Sequence, residues 1–314
     1  MSTINRDKLR AEIGHIAVLL GGMSSERAIS LLSGTAVYEG LLRLGFEATA
    51  IDVGDDVIAR LQQVKPDFVF NMLHGKGGED GVIQGLLDVM RLPYTGSGVL
   101  ASALAMDKVR SKLIWQRLGL STAEFIELDE TTDWHAAIAK LGKAVVKPVN
   151  GGSSLGIEIV QDADELQKQF TLAKEFDSEV MAESYIAGEE FSIGILNDEL
   201  LPAIHLRTKR KFFTYDAKYV DEDTEYICPP NLPAEQIEAL NDLVLKACQS
   251  LGCAGLARVD VMQDKSGKFY LLEVNTVPGM TNHSFIPMAA KKIGMSFDDL
   301  LLKILDKELQ VKQK

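Results

Sequence analysis

Apolar positions in the first third of the chain come in short unbroken runs, at residues 15–20, 48–53 and 67–73. Between them lie stretches at 25–44, 57–64 and 82–90 whose apolar residues recur every three or four positions. Runs of the first kind suit buried strands and the second kind amphipathic helices, so the pattern predicts βαβ units and a parallel sheet. The segment Pro93-Tyr-Thr-Gly-Ser-Gly98 interrupts the pattern before a helix expected over 107–118, which puts a lobe boundary near Leu104. The middle of the chain reads as strand 125–128, helix 134–141, strand 144–149, a Gly-rich loop, strand 157–160, helix 163–174 and strand 179–183. Beyond Gly188 come two short strands, a basic and aromatic stretch at 207–219, an amphipathic helix at 234–251, a β-hairpin at 256–275 and a helical tail. The expectation is an α/β protein with α+β lobes: a Rossmann-like lobe over 1–104, a central lobe over 105–187 and a C-terminal lobe over 188–314.

Length agrees with several lobes, since 314 residues exceed what one core usually organises, and clefts between lobes are where ligands bind. A net charge of -12 argues against broad binding to nucleic acid or anionic membrane, which needs basic patches. The one basic cluster, Arg207-Thr-Lys209-Arg210-Lys211, suits either a phosphate-binding lid or a solvated loop. The first fifteen residues are polar and lack the apolar core of a signal peptide, and no apolar run is long enough to span a bilayer. A cytosolic protein is expected. Cys228, Cys248 and Cys253 lack CxxC spacing and read as reduced thiols.

The hairpin carries the sharpest chemistry. Alternation along Ala257-Arg-Val-Asp-Val-Met262 and Phe269-Tyr-Leu-Leu-Glu-Val-Asn275 collects Arg258, Asp260, Glu273 and Asn275 on one face, and Val259, Val261, Leu272 and Val274 on the other. A two-residue turn at Ser266-Gly267 would set Asp260 opposite Glu273 and Arg258 opposite Asn275; a bulge would shift that register by one. Two acids and an amide on one face form an all-oxygen set suited to a hard ion such as Mg²⁺. Taken alone, the same residues also suit a solvent-facing hairpin with an Arg-acid pair. In Lys147-Pro-Val-Asn-Gly-Gly-Ser153-Ser154-Leu-Gly156 a Gly- and Ser-rich loop follows an apolar strand, either to wrap phosphates with backbone N–H groups beside Lys147 or simply to turn the chain. It is not a Walker A loop, because the Lys precedes the glycines. Leu20-Gly-Gly-Met-Ser-Ser-Glu26-Arg27 sits where a strand turns into a helix, so Glu26 either complements the helix dipole or points into a cleft to hold an ammonium. His74, in His74-Gly-Lys-Gly-Gly-Glu-Asp-Gly81, ends a strand of a parallel sheet, where open α/β folds bind ligands; a lone loop His is otherwise structural.

Together and in this order, LLGGMSSER, HGKGGEDG, PYTGSGVLASALAMDK, VKPVNGGSSLG, YDAKY, ARVDVM and LLEVNTVPGMTNHS make the sequence resemble the D-alanine-D-alanine ligase family of ATP-grasp carboxylate-amine ligases over nearly the whole chain. The resemblance implies an ATP-grasp fold, with nucleotide between two antiparallel sheets, and ATP-dependent joining of two D-alanines through a D-alanyl phosphate for cell-wall synthesis. It implies Lys108 and Lys147 at the ATP phosphates with the Ser154 loop, Glu183 and Ile186 at adenine, and Glu190 at ribose. Asp260, Glu273 and Asn275 would hold two Mg²⁺ ions, with Mn²⁺ as a substitute. Glu26 would hold the first ammonium in a set with Ser153 and Tyr219, while Arg258 and Gly279 would stabilise the tetrahedral oxyanion. Lys218 and Ser284 would meet the second carboxylate or the phosphoryl group, and His74 would assist the first D-alanine. The 207–219 stretch would be a mobile loop over the site, Tyr219 would favour dipeptide over depsipeptide, and the assembly would be a homodimer through the first lobe. Ser184, where relatives often carry Lys, puts one adenine contact in doubt, while Val277 in NTVPG looks neutral.

The nearest rival is another ATP-grasp ligase differing around Glu26, Tyr219 and Ser284. An NAD-dependent oxidoreductase would want GxGxxG after the first strand, which VLLGGMSSER lacks, and would give the hairpin acids no work. An exported binding protein on similar lobes would carry a signal peptide.

Overall fold

The computed structural model describes residues 4–152, 155–207 and 224–312. The first lobe runs α1 (Arg6–Ile13), β1 (Ile16–Gly21), α2 (Arg27–Arg43), β2 (Ala48–Val53), α3 (Val57–Val64), β3 (Phe68–Asn71), α4 (Val82–Met90) and α5 (Val99–Met106). Its three strands form the expected parallel sheet in the order β2-β1-β3. Every residue of β1 is buried, as a central strand covered on both faces requires. Two helices were not anticipated. α1 buries only Leu9 and Ile13 and so reads as polar, and α5 follows the Gly-Ser punctuation with an apolar run that has no clear stripe. The expected boundary near Leu104 falls inside α5.

The central segment comprises α6 (Lys108–Arg117), β4 (Phe125–Leu128), α7 (Trp134–Leu141), β5 (Ala144–Pro148), β6 (Glu158–Val160), α8 (Ala163–Ala173) and β7 (Val180–Ser184). Asp107, Asp133 and Asp162 cap α6, α7 and α8, each side chain accepting a hydrogen bond from an N–H of the first turn. The strands make an antiparallel sheet, β4-β7-β5-β6, over its own core of Val146, Leu166, Phe170 and Ala182.

The remaining elements are β8 (Gly188–Leu196), β9 (Glu199–Leu200), β10 (Ile204–Arg207), β11 (Glu225–Ile227), α9 (Ala234–Leu251), β12 (Leu256–Asp264), β13 (Phe269–Asn275), α10 (Phe285–Lys292) and α11 (Phe297–Lys312). In place of two short strands after Gly188 the chain forms one of nine residues, β8, which pairs with β12 along its whole length, and then the short β9 and β10. A six-stranded antiparallel sheet results, ordered β11-β10-β8-β12-β13 with β9 beside β8. Its helices divide: α9 covers one face, while α10 and α11 join a core shared with the first lobe, in which Leu300, Leu301 and Leu305 meet Val18, Val37 and Leu41.

The hairpin corrects the sequence reading twice. The connection is a three-residue loop, Lys265-Ser266-Gly267, closed by the Asp264 N–H on the Lys268 carbonyl at 2.9 Å, with Gly267 at φ 88°. That alone would displace the register by one. A bulge in β13 between the partners of Asp260 and Val261 restores it, leaving Leu272 as the extra residue. Asp260 therefore does lie opposite Glu273 and Arg258 opposite Asn275, but Val261 faces Leu271, and Leu271, not Leu272, enters the apolar core.

Candidate active site

Glu26 is the N-cap residue of α2, yet its side chain makes no capping bond. Its carboxylate instead reaches two distant loops: a methyl group on Gly152 would lie 2.6 Å from Glu26 Oε2, and one on Gly75 would lie 2.9 Å from the same atom. Three motifs far apart in sequence thus meet at one oxygen. The cavity around it is lined by Glu26, His74, Arg258, Glu273, Asn275, Gly279 and Ser284, seven of the residues singled out from sequence. A second cavity, lined by Lys108, Gly151 and Thr276, shares Glu79, Gly152, Glu273 and Asn275 with the first.

His74 is held beneath the first cavity. Its Nε2 lies 3.4 Å from Ser33 Oγ, and Ser33 Oγ also accepts the Met280 N–H at 3.1 Å. Burial lowers the pKa of the imidazole against the opposing pull of Glu26, so the ring is neutral at pH 7. At the C-terminal end of the cavity, Ser284 Oγ accepts the Thr281 N–H at 3.0 Å, and a methyl on Gly279 would lie 2.8 Å from it, so the loop 279–284 closes on its own hydroxyl. Arg258 stacks over Phe285 at 5.6 Å and donates to Asp260, Nη2 to Oδ2 at 2.7 Å.

Asp260 also accepts from Ser192 Oγ at 2.6 Å and is nearly enclosed; it lines neither cavity. Glu273 faces Lys108 Nζ at 3.3 Å, and Lys108 donates as well to the Gly151 carbonyl. Asn275 Oδ1 accepts the Val277 N–H at 3.0 Å. The two carboxylates and the carboxamide share one sheet face and offer only oxygen, a chemistry that fits Mg²⁺. Among the described residues no group of three His, Cys, Asp or Glu gathers as a metal site, which follows from an amide being the third donor here.

Between the two antiparallel sheets lies a buried triad. Glu183 on β7 pairs with Lys147 through Oε1 and with Lys112 Nζ through Oε2, the latter at 2.6 Å. Lys112 Nζ also donates to Thr122 Oγ1 at 2.6 Å and to the Leu271 carbonyl at 3.3 Å, tying α6 to both sheets. Burial drives the Glu183 carboxyl upward, but the two ammonium groups prevail and hold it at about 2; burial pulls Lys112 down to about 8. Ile186 lies in the crossing from β7 to β8, and Glu190 lies on β8 opposite Leu206 and Met262, so neither joins the two cavities. Ser153, Ser154, Lys218 and Tyr219, with most of the 207–219 stretch, lie outside the described residues.

Residues 114–306 match the family model described as the D-ala D-ala ligase C-terminus, and residues 56–97 match the D-ala D-ala ligase N-terminus. The chain belongs to the D-alanine-D-alanine ligase family. It is 48% identical over 318 residues to D-alanine-D-alanine ligase B of Pseudomonas syringae pv. tomato, covering 99% of this chain and all of that one. It is 50% identical to the D-alanine-D-alanine ligase of Stutzerimonas stutzeri, covering 95% and 96%. Among solved structures, a D-alanine-D-alanine ligase from Bacillus anthracis complexed with ATP superposes with a TM-score of 0.84 at 37% identity, covering 96% of this chain and 99% of that chain. The fold is that of these ligases, an ATP-grasp arrangement with a parallel first lobe.

Within this D-alanine-D-alanine ligase fold, three residues that sequence reasoning passed over stand out: Ser33, Glu79 and Lys112. Lys112 was legible in principle, because Lys108, Lys112 and Trp115 recur at helical spacing and all prove buried. Ser33 shares the buried face of α2 with Ser30 and Val37 in the same way. Glu79 gave no periodic signal, being held in a Gly-rich loop.

Proposed function

We propose that the two adjoining cavities are the halves of one ligation site, a first-substrate pocket around Glu26 and a phosphate pocket around Lys108. The reaction is the ATP-dependent joining of two D-alanines for cell-wall synthesis, the activity of the family. The carrying observation is that an acid suited to an ammonium and a lysine suited to a phosphate line cavities sharing Glu79, Gly152, Glu273 and Asn275.

Glu26 binds the ammonium of the first D-alanine, whose carboxylate thereby faces the shared boundary. That carboxylate attacks the γ-phosphorus of ATP, giving D-alanyl phosphate and ADP. The amine of the second D-alanine then attacks the acyl carbon, the Arg258 guanidinium and the Gly279 N–H bear the oxyanion, and phosphate departs. Lys108 and Lys147 neutralise the phosphate chain, and Glu183 fixes Lys147 from behind. Neutral His74 orients the first substrate, and Ser284 the carboxylate of the second. Ser153, Ser154, Lys218 and Tyr219 complete the set by resemblance, with Glu183, Ile186 and Glu190 towards the nucleoside. Little covalent work falls to side chains, so positioning and charge stabilisation dominate.

Asp260, Glu273 and Asn275 are the residues that would hold Mg²⁺. When bound, the metal supplies charge neutralisation to the phosphates. Arg258 and Lys108 stand beside the two acids as the counter-charges already built in. No helix of the described residues is long and apolar enough to cross a membrane, and a cytoplasmic homodimer is the proposed state. Val82, Val89 and Leu100 support a first-lobe dimer face, being largely exposed on α4 and α5, which pack on each other.

Phosphate release from ATP tests the assignment, with D-alanine, L-alanine and D-alanine plus D-lactate compared in Mg²⁺ and in chelator. Stimulation by D-alanine, dipeptide as product and loss in Glu273→Ala support the substrate and metal roles. No stimulation by D-alanine sinks them.

A further inference from the structure

Lys112 is fully buried on α6, and the scheme above gives it no work. Taking an ammonium out of water is costly, and a methionine of like length would fill the same space without that cost, so packing alone does not call for a lysine here. Its partners come from three parts of the chain: Glu183 Oε2 on β7 at 2.6 Å, Thr122 Oγ1 ahead of β4 at 2.6 Å, and the Leu271 carbonyl on β13 at 3.3 Å. Two further bonds close the knot. Thr122 Oγ1 donates to the Leu271 carbonyl at 2.8 Å, and the Leu271 N–H donates to the Ser121 carbonyl at 2.8 Å. Leu271 stands just before the bulge residue Leu272, after which Glu273 falls opposite Asp260. One helical turn before Lys112, Lys108 faces Glu273 at 3.3 Å. The two lysines of α6 therefore meet β13 at positions two residues apart. Four residues advance an α-helix by about 6 Å and two advance a strand by about 6.8 Å, so the spacings of helix and strand agree.

We propose that Lys112 is a positioning residue for the phosphate pocket: by fixing α6 to β13 at Leu271 it sets Lys108 against Glu273, so that Lys108 meets the phosphates of ATP. Lys112 does not touch the nucleotide itself, since Lys108 and Glu273 line the phosphate cavity and Lys112 lines neither cavity. Glu183 supplies the counter-charge that keeps the ammonium in place, and Thr122 fixes its direction. A lysine in water samples many rotamers, whereas one enclosed by three partners holds a single geometry and passes it to the residue one turn away.

The role rests on the ligase reading of the site, and the test separates the two. Binding of a non-hydrolysable ATP analogue in Mg²⁺ is measured by calorimetry without D-alanine, beside KM for ATP and for D-alanine in phosphate release. The proteins compared are the wild type, Lys112→Met, Thr122→Val, Lys108→Met and the double variant Lys108→Met with Lys112→Met. Methionine leaves Glu183 paired with Lys147 and the Leu271 carbonyl bonded to Thr122, so Lys112→Met should fold. Its affinity for the analogue should fall on the order of tenfold, and that of Thr122→Val about threefold, with KM for ATP rising in step and KM for D-alanine unchanged. Once Lys108 is methionine, Lys112→Met should cost little more, because the residue it positions is gone. A lysine serving stability alone would lower the thermal midpoint and leave nucleotide affinity where it was. Unchanged affinity in a folded Lys112→Met, or the same loss with and without Lys108, overturns the role; where Lys112→Met does not fold, unchanged affinity in Thr122→Val does so. A wild type that binds the analogue but releases no phosphate on addition of D-alanine overturns the ligase reading instead.

Discussion

Glu26 and Gly152 touch across the cleft: the carboxylate of the first occupies the space that a side chain on the second would need, at 2.6 Å from a methyl there. The obstructing atom is the end of a flexible side chain, so Gly152→Ala should fold normally but swing the Glu26 carboxylate away from its post. KM for D-alanine should rise by about tenfold or more, the scale of a lost charge-assisted hydrogen bond, with the thermal midpoint within a degree or two of wild type. Equal KM values in steady-state assays would show that Glu26 does not hold the ammonium.

Glu183 pairs with both Lys112 and Lys147, and all three side chains are buried. Glu183→Gln leaves two ammonium groups facing each other out of water and should destabilise by about 3–5 kcal/mol in urea unfolding. The sign with pH follows from the depressed carboxyl. Its stabilisation is complete above the ordinary value of 4.5 and is lost as pH falls towards about 2. The wild-type advantage over Glu183→Gln should therefore shrink between pH 4.5 and pH 2, and a difference constant over that range would refute the pairing.

Val89 on α4 and Leu100 on α5 are 85% and 72% exposed. If they form the dimer face, Val89→Glu with Leu100→Glu should halve the mass seen by light scattering at micromolar concentration, with helical content unchanged by circular dichroism. A wild type that is already monomeric would remove the first-lobe dimer from consideration.

Most strands and helices were legible because burial repeats along the chain: the bounds of β2, α3, α4, β4, α7 and α9 coincide with those read from periodicity. The hairpin shows how a right pairing can rest on a wrong path, since a longer turn and a bulge cancelled and only Leu271 and Leu272 reveal the exchange. The cavity residues Glu26, His74, Arg258 and Glu273 were accessible as motifs. Glu79 was not, and Lys112 showed only as a helical repeat with Lys108 and Trp115, because a charged residue in a helix or glycine loop looks solvated until the packing around it is known.

The apolar face of α2 packs on β1 and β2, and α11, far along the chain, completes its cover. On the ribosome this means that an earlier helix must wait for a much later one before its packing is complete. Part of the apolar surface around Val37 and Leu41 stays wet until Leu300 and Leu301 have emerged, so a premature stop before α11 should leave a sticky first lobe rather than a smaller folded one.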